Sequence, residues 1–322
     1  MKPIASASLW FLLTLTLAEL AAQTAPGTAR DVVGPGIHGD EIEGVAFSSD
    51  GLLLATADNG GRIAIWDTRT RRFLRALAGR NFTEVVFVPA SDFIAASGFD
   101  GTVKVWNATT GRIQRTWSYP GAVETIAVSP DGSRVAAGGA DSTVRIWDLV
   151  TGKEIRRFHG HTDAVYTVKF TRDGGRIISG GRDRTVRVWS TRTGALLRTF
   201  TDFDDSVYSL DLSPDGRLVA VGIRSGRAQI RRLWSGVVVH TLSGHSDSVH
   251  GVSFSPDGKL LATAGFDRVV NLWQSQSGAR VSRWLGHTRK IGGVAFAPDG
   301  RTVVSVGSDT TVRFWQVGER AR

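Results

Sequence analysis

Short runs of alternating apolar and polar residues recur along almost the whole chain, and seven of them share one register: GRIAIW, GTVKVW, STVRIW, RTVRVW, GRAQIR, RVVNLW and TTVRFW. Successive side chains on a strand point to opposite faces. Apolar residues at −1 and −3 from the final position, with a mostly polar or basic one at −2, therefore predict a β-strand. The final positions are Trp66, Trp106, Trp147, Trp189, Arg231, Trp273 and Trp315, spaced 40 to 42 residues apart. Arg231 stands where the spacing calls for a seventh Trp; Trp234 lies three residues beyond it, close enough to take the slot by a local shift, but the even spacing on either side favours no shift. A second anchor precedes the first by 28 residues. It is His38, His161, His245 and His287 in four units and Tyr119 and Phe203 in two others, and three of the four His follow Gly. Counting from the His, apolar residues fall at +4, +7 and +9, as in Val165, Val168 and Phe170. The odd step breaks alternation by one residue, which predicts a β-bulge near +5. Tight-turn sequences such as Ser129-Pro130-Asp131-Gly132 follow, then a second strand, the anchored third strand and a fourth carrying Phe158, Phe200 or Trp284.

Four short strands in about 42 residues cannot bury both faces of a sheet alone, whereas radial stacking lets each sheet cover its neighbour. Seven phase-locked copies, with Trp-Asp pairs at Trp66-Asp67 and Trp147-Asp148, resemble the WD40-repeat family from residue 31 to the C-terminus. The resemblance implies an all-β fold over 31–322: a seven-bladed β-propeller of four-stranded antiparallel blades. The last strand, Thr311 to Trp315, leaves blade seven without an outer strand. Residues 29–35 hold the fourth-strand position, so the N-terminal strand is expected to close the ring. Pro35 fits there because an outermost strand is an edge.

The resemblance also implies a buried hydrogen-bonded chain in each complete blade: His161, Ser179, Asp183 and Trp189; His245, Thr263, Asp267 and Trp273; His287, Ser305, Asp309 and Trp315. Ser179 beside His161 and Asp183 could suggest a nucleophile. Three near-identical copies favour a structural role, because one active site does not need three. Other blades depart from the pattern. Blade one has His38, Thr56 and Trp66 but Gly60 in the Asp position. Blade two has an irregular His slot. Blade three has Tyr119 and Ala137. Blade five has Phe203, Val221, Ser225 and Arg231.

Composition narrows the chemistry. The chain has no cysteine, which excludes disulfides, thiolate metal sites and Cys nucleophiles. Lys and Arg number 39 against 30 Asp and Glu, a net +9 that favours anionic surfaces. Many bases fall on the fourth strands, among them Arg75, Arg115, Arg156, Arg198 and Arg283. Charged rims block strand-to-strand association. Bases spread around a circle do not form the single patch of a nucleic-acid binder, so nucleic acid is not an expected partner and weak attraction to anionic envelope polymers is. Residues 1–22, with Lys2, an apolar stretch from Leu9 to Ala18 and Ala21-Ala22, match a cleaved secretory signal. Residues 23–30 are read as a flexible lead. The expected product is an exported protein, periplasmic or secreted, without a membrane-spanning segment after cleavage.

The family resemblance implies a non-enzymatic scaffold for protein–protein interaction, with no catalytic, metal or cofactor residues expected. In the family, partners often dock on the face bearing the bulges and the residues before the turn Asp. Those positions here are Phe99, Tyr166, Arg182, Tyr208, Arg224, His250, Phe266 and Lys290. Glu41, Glu43 and Glu124 fall on the opposite side of the ring and make that face electrically asymmetric. The alternative is a propeller hydrolase or lactonase holding a metal in the channel through Glu41, Glu43, Glu124 and His250. The other channel positions, Thr83, Tyr166, Tyr208 and Gly292, weigh against it.

Overall fold

The computed structural model describes residues 31–33 and 36–318. The expected signal (1–22) and lead (23–30) lie outside the described residues. Among the described residues, every helix or strand is a strand, and the strands form seven four-stranded antiparallel sheets. Blade four is representative, with Val165–Phe170, Arg176–Gly181, Val186–Ser190 and Leu196–Phe200 in spatial order. Its first turn is held by Asp173, whose Oδ1 accepts from Thr171 Oγ1 at 2.5 Å and Gly175 N at 3.0 Å, while Gly174 takes a φ of +62°. The seven first strands contact one another in order, and the seventh contacts the first. They therefore line the axis, and the fourth strands form the rim.

Blades are joined by apolar layers and by polar ties one repeat apart. Between blades three and four, Ile146, Phe158, Val165, Val168 and Trp189 form one buried cluster. Thr125 Oγ1 accepts from Val168 N at 3.1 Å, and Thr167 Oγ1 accepts from Leu210 N at 3.2 Å. The ring closes as expected: Asp31–Val33 pairs antiparallel with Val312–Gln316, Asp31 opposite Phe314 and Val33 opposite Val312.

The buried chains form as expected in three blades. In blade four, His161 Nδ1 donates to Asp183 Oδ2 at 2.8 Å, and His161 Nε2 meets Ser179 Oγ at 2.7 Å. Trp189 Nε1 donates to the same Oγ at 2.8 Å. Blades six and seven repeat this through Thr263 and Ser305. The Gly before the His is required by space. A Cβ on Gly160 would lie 2.8 Å from Arg187 Nη1 and 2.9 Å from Trp189 Cη2.

One blade departs from the sequence expectation and another from the repeat itself. Blade one does have a carboxylate: Asp58, two residues before Gly60, accepts from His38 Nδ1 at 2.7 Å, and Thr56 joins His38 to Trp66. Asp58 ends the second strand, where blade four has Gly181, whose Cβ would stand 2.4 Å from Ala164 O. From that position Asp58 still accepts from Arg62 N at 2.8 Å, so it also holds the turn. In blade five no shift occurs. Arg231 pairs with Val219 as Trp189 pairs with Ile177, is 1% exposed, and lies 4.2 Å over Phe203 while donating to Asp202 Oδ1 at 2.6 Å. Trp234 stays outside at 42% exposure, with Arg176 over its ring. A guanidinium on an aromatic face has replaced the indole–imidazole pair.

Candidate functional site

The register of every first strand shifts at its second residue. The bulged residues are Glu43, Thr83, Glu124, Tyr166, Tyr208, His250 and Gly292. A bulge re-aims one side chain off the ladder, and repeated in seven blades it turns one residue per blade toward the axis. With Phe99, six of these residues line a cavity of about 280 Å³ at the mouth of the channel. This end of the ring, which also carries the turns between second and third strands, is the upper face.

On one side of the mouth the aromatic rings form an arc. Tyr166 and Tyr208 have ring centroids 5.2 Å apart, as do Tyr208 and His250. His250 stacks on Phe266 at 4.8 Å, and Lys290 Nζ lies 4.5 Å over the Phe266 ring. His250 Nδ1 donates to Gly292 O at 2.9 Å, which fixes the imidazole. Five of the eight expected binding residues are thus one contiguous surface across blades four to seven, and Phe99 meets the same mouth from blade two. Arg182 and Arg224 are exposed at its margin, where Arg182 reaches Asp163 at 3.6 Å and both guanidinium charges act on Tyr208. The three bulge side chains of the arc are half-buried and rest on one another.

Glu43 and Glu124 share this mouth, so the acidic side faces the aromatic arc across one cavity. Burial raises the pKa of both carboxyls. Glu43 adds to the rise at Glu124, and His250 opposes the rise at Glu43. Burial likewise raises the phenols of Tyr166 and Tyr208.

Farther down the channel lies a polar bridge that the sequence reading missed. Lys169 Nζ meets Glu84 Oε1 at 3.1 Å, and Glu84 Oε2 accepts from Thr125 Oγ1 and Ile126 N. Burial would lower the Lys169 pKa, but the Glu84 and Asp211 charges carry it above its ordinary value. Asp211 accepts from Phe254 N at 2.7 Å. The available signal was a Lys and an Asp at a repeat position that holds Ala46, Ala127 and Ala295 in other blades.

These groups offer aromatic faces, a cation and two carboxylates at one opening. Ser179 is in triad order with His161 and Asp183, but it is completely buried and its Oγ takes the Trp189 N–H. No substrate carbonyl can approach it. Among the described residues, no three His, Asp or Glu side chains gather as metal ligands.

Comparison with known proteins agrees with this architecture. Eukaryotic translation initiation factor 3 subunit I of Pyricularia oryzae is 32% identical over 99 residues, 30% of this chain and 29% of that protein. Apoptotic protease-activating factor 1 of Rattus norvegicus is 29% identical over 98 residues, 30% of this chain and 8% of that protein. The aligned region thus spans less than a third of the relatives' length. The family model described as WD domain, G-beta repeat matches residues 36–67, 72–107, 111–148, 152–190, 194–230, 236–274 and 278–316. From the second match on, each pairs the outer strand of one blade with the inner three of the next, and the strand missing from the first is supplied by Asp31–Val33. By its seven repeats and by its fold, the chain belongs to the WD40 family.

Proposed function

We propose that this protein is a non-enzymatic scaffold that docks a protein partner across its upper face, and that it works outside the cytoplasm after removal of residues 1–22. The observation that carries the docking reading is the arc Tyr166–Tyr208–His250–Phe266–Lys290. These side chains touch one another at the mouth and take no part in the buried chains of the blades. Partly exposed aromatic and cationic side chains in contact make a surface of the kind that anchors interfaces. Glu43 and Glu124 across the cavity give a partner a preferred orientation. The name of one group of relatives, a subunit of a translation factor, supports a role within an assembly.

The test is a pull-down from the native envelope fraction with the wild type, Tyr166→Ala/Tyr208→Ala and Arg224→Glu. The expected result is loss of the same partner from both variants, with unchanged circular dichroism; each anchor contributes about 2 kcal/mol. Full retention by both variants places the interface elsewhere. Export is read from N-terminal sequencing of the native protein, which is expected to begin near Gln23. An intact Met1 chain in the soluble cytosol overturns that part.

A further inference from the structure

The lower face, where first strands turn into second strands and third strands into fourth, has a different surface. Apart from Phe99 and Leu285, every exposed large apolar side chain among the described residues lies on this half of the ring. They follow one another around five blades: Leu74 in blade one, Ile113 in blade two, Val150 and Ile155 in blade three, Leu196 and Leu197 in blade four, and Trp234 with Val238 in blade five. Val150 is the most exposed, at 75%. They fall at three positions of the repeat, +3, +7 and +8 from the third-strand anchor, so they recur in the lower half of the rim from blade to blade.

Guanidinium groups alternate with them. Arg75 donates to the carbonyls of Ala108 and Thr109 in the next blade, Arg115 to those of Leu149 and Val150, and Arg156 to that of Arg192 at 2.7 Å. These bonds clasp neighbouring blades on the same half of the rim as the apolar side chains. A guanidinium has five N–H donors, so others remain for an outside acceptor. The turns between first and second strands, nearer the axis on this face, carry Asp50, Asp92, Asp131, Asp173, Asp215 and Asp257, whereas in the outer hairpins between third and fourth strands of blades one to six the acids are Asp67, Asp148 and Glu154 and Lys and Arg outnumber them by more than two to one. Those three are engaged locally: Asp67 and Asp148 bind their own turns through Thr70 and Thr151, and Glu154 holds Arg157.

We propose that this lower rim, from blade one to blade five, is a docking surface for an anionic lipid bilayer. A soluble polyanion would use the charge and leave the leucines, valines and isoleucines in water. A bilayer interface uses both, taking short apolar side chains among the headgroups while Arg binds lipid phosphate. No helix of the described residues is long and apolar enough to cross a membrane. The attachment is therefore peripheral, and it leaves the upper face open.

The test is flotation of the full chain with phosphatidylcholine vesicles and with vesicles of phosphatidylcholine and phosphatidylglycerol. The protein is expected on the anionic vesicles and weakened about tenfold or more on the neutral ones. Val150→Ser/Leu197→Ser, which keeps the charge, is expected to weaken anionic-vesicle binding about tenfold. Arg112→Glu/Lys153→Glu is expected to do at least as much, and Tyr208→Ala to do nothing. All these side chains except Tyr208 are exposed, so unchanged melting temperatures are the control on folding. Three results overturn the proposal. The first is a protein that stays in solution with anionic vesicles. The second is Val150→Ser/Leu197→Ser binding them like the wild type, which makes the rim a polyelectrolyte site that dextran sulfate fills equally in both. The third is loss of binding in Tyr208→Ala, which moves the membrane contact to the upper face.

Discussion

At the residue scale, folding shifts the protonation equilibria of Asp183, Asp309 and His287 in the buried chains. Burial alone would raise the Asp183 pKa, but the bond and charge of His161 and the Thr185 hydroxyl bring it down to about 2. Asp309 is lowered in the same way, and burial lowers His287 despite its bond to Asp309. Each group is lowered in the folded state, so the unfolded chain binds more protons between the two pKa values and stability falls as pH falls. His287 begins to subtract below about pH 6.5, and the two Asp residues below about pH 4. Urea midpoints measured across pH are expected to fall in these two stages. Asp183→Asn is expected to flatten only the second, because it removes the titrating group and keeps an acceptor for His161. An acid profile of Asp183→Asn parallel to that of the wild type would sink this account.

At the scale of the element, blade five shows what a repeat needs. Its third strand keeps register without Trp because Arg231 fills the slot, stacked on Phe203 and bonded to Gln229 and Asp202. Asp202 is largely exposed, yet its removal strands a buried guanidinium. Asp202→Ala is therefore expected to destabilise the protein by about 2 kcal/mol, more than a surface Asp would, because loss of one partner leaves the other buried and unpaired. Arg231→Met in the Asp202→Ala background is expected to recover part of the loss. A Asp202→Ala urea midpoint equal to that of the wild type would mean that Phe203 and Gln229 suffice. The sequence spacing had already favoured Arg231 over Trp234. The chemistry of the replacement was not readable, because Asp202 lies 29 residues away and no repeat motif links the two. Blade one teaches the same lesson: a motif position held Gly60, and the carboxylate came from Asp58, which only the folded turn brings to His38.

For the whole molecule, closure joins the two ends of the described chain. Asp31–Val33 completes the seventh sheet, and deleting residues 23–36 leaves Val312–Gln316 as an unpaired edge. The deletion variant is expected to melt lower and to aggregate. A monomeric variant with an unchanged melting temperature would show that closure contributes nothing. Blade number and the bulge near +5 were legible in the sequence itself, and the chains of blades four, six and seven and the closing strand were implied by the family resemblance. A local period or a fixed offset is legible because a strand's alternation and a turn's residues depend on near neighbours. Side chains that meet across blades were legible only as separate positions. That Tyr166, Tyr208, His250 and Phe266 touch, that Glu43 and Glu124 face them, and that Lys169 bridges to Glu84 depend on ring curvature and on how far each bulge turns its side chain inward. The rim arginines were legible as charge, whereas their carbonyl partners in the next blade were not. Periodicity specifies a blade because a blade is short-range in sequence. Contacts between blades join residues about one repeat or more apart, and only the closed ring fixes the distances between them.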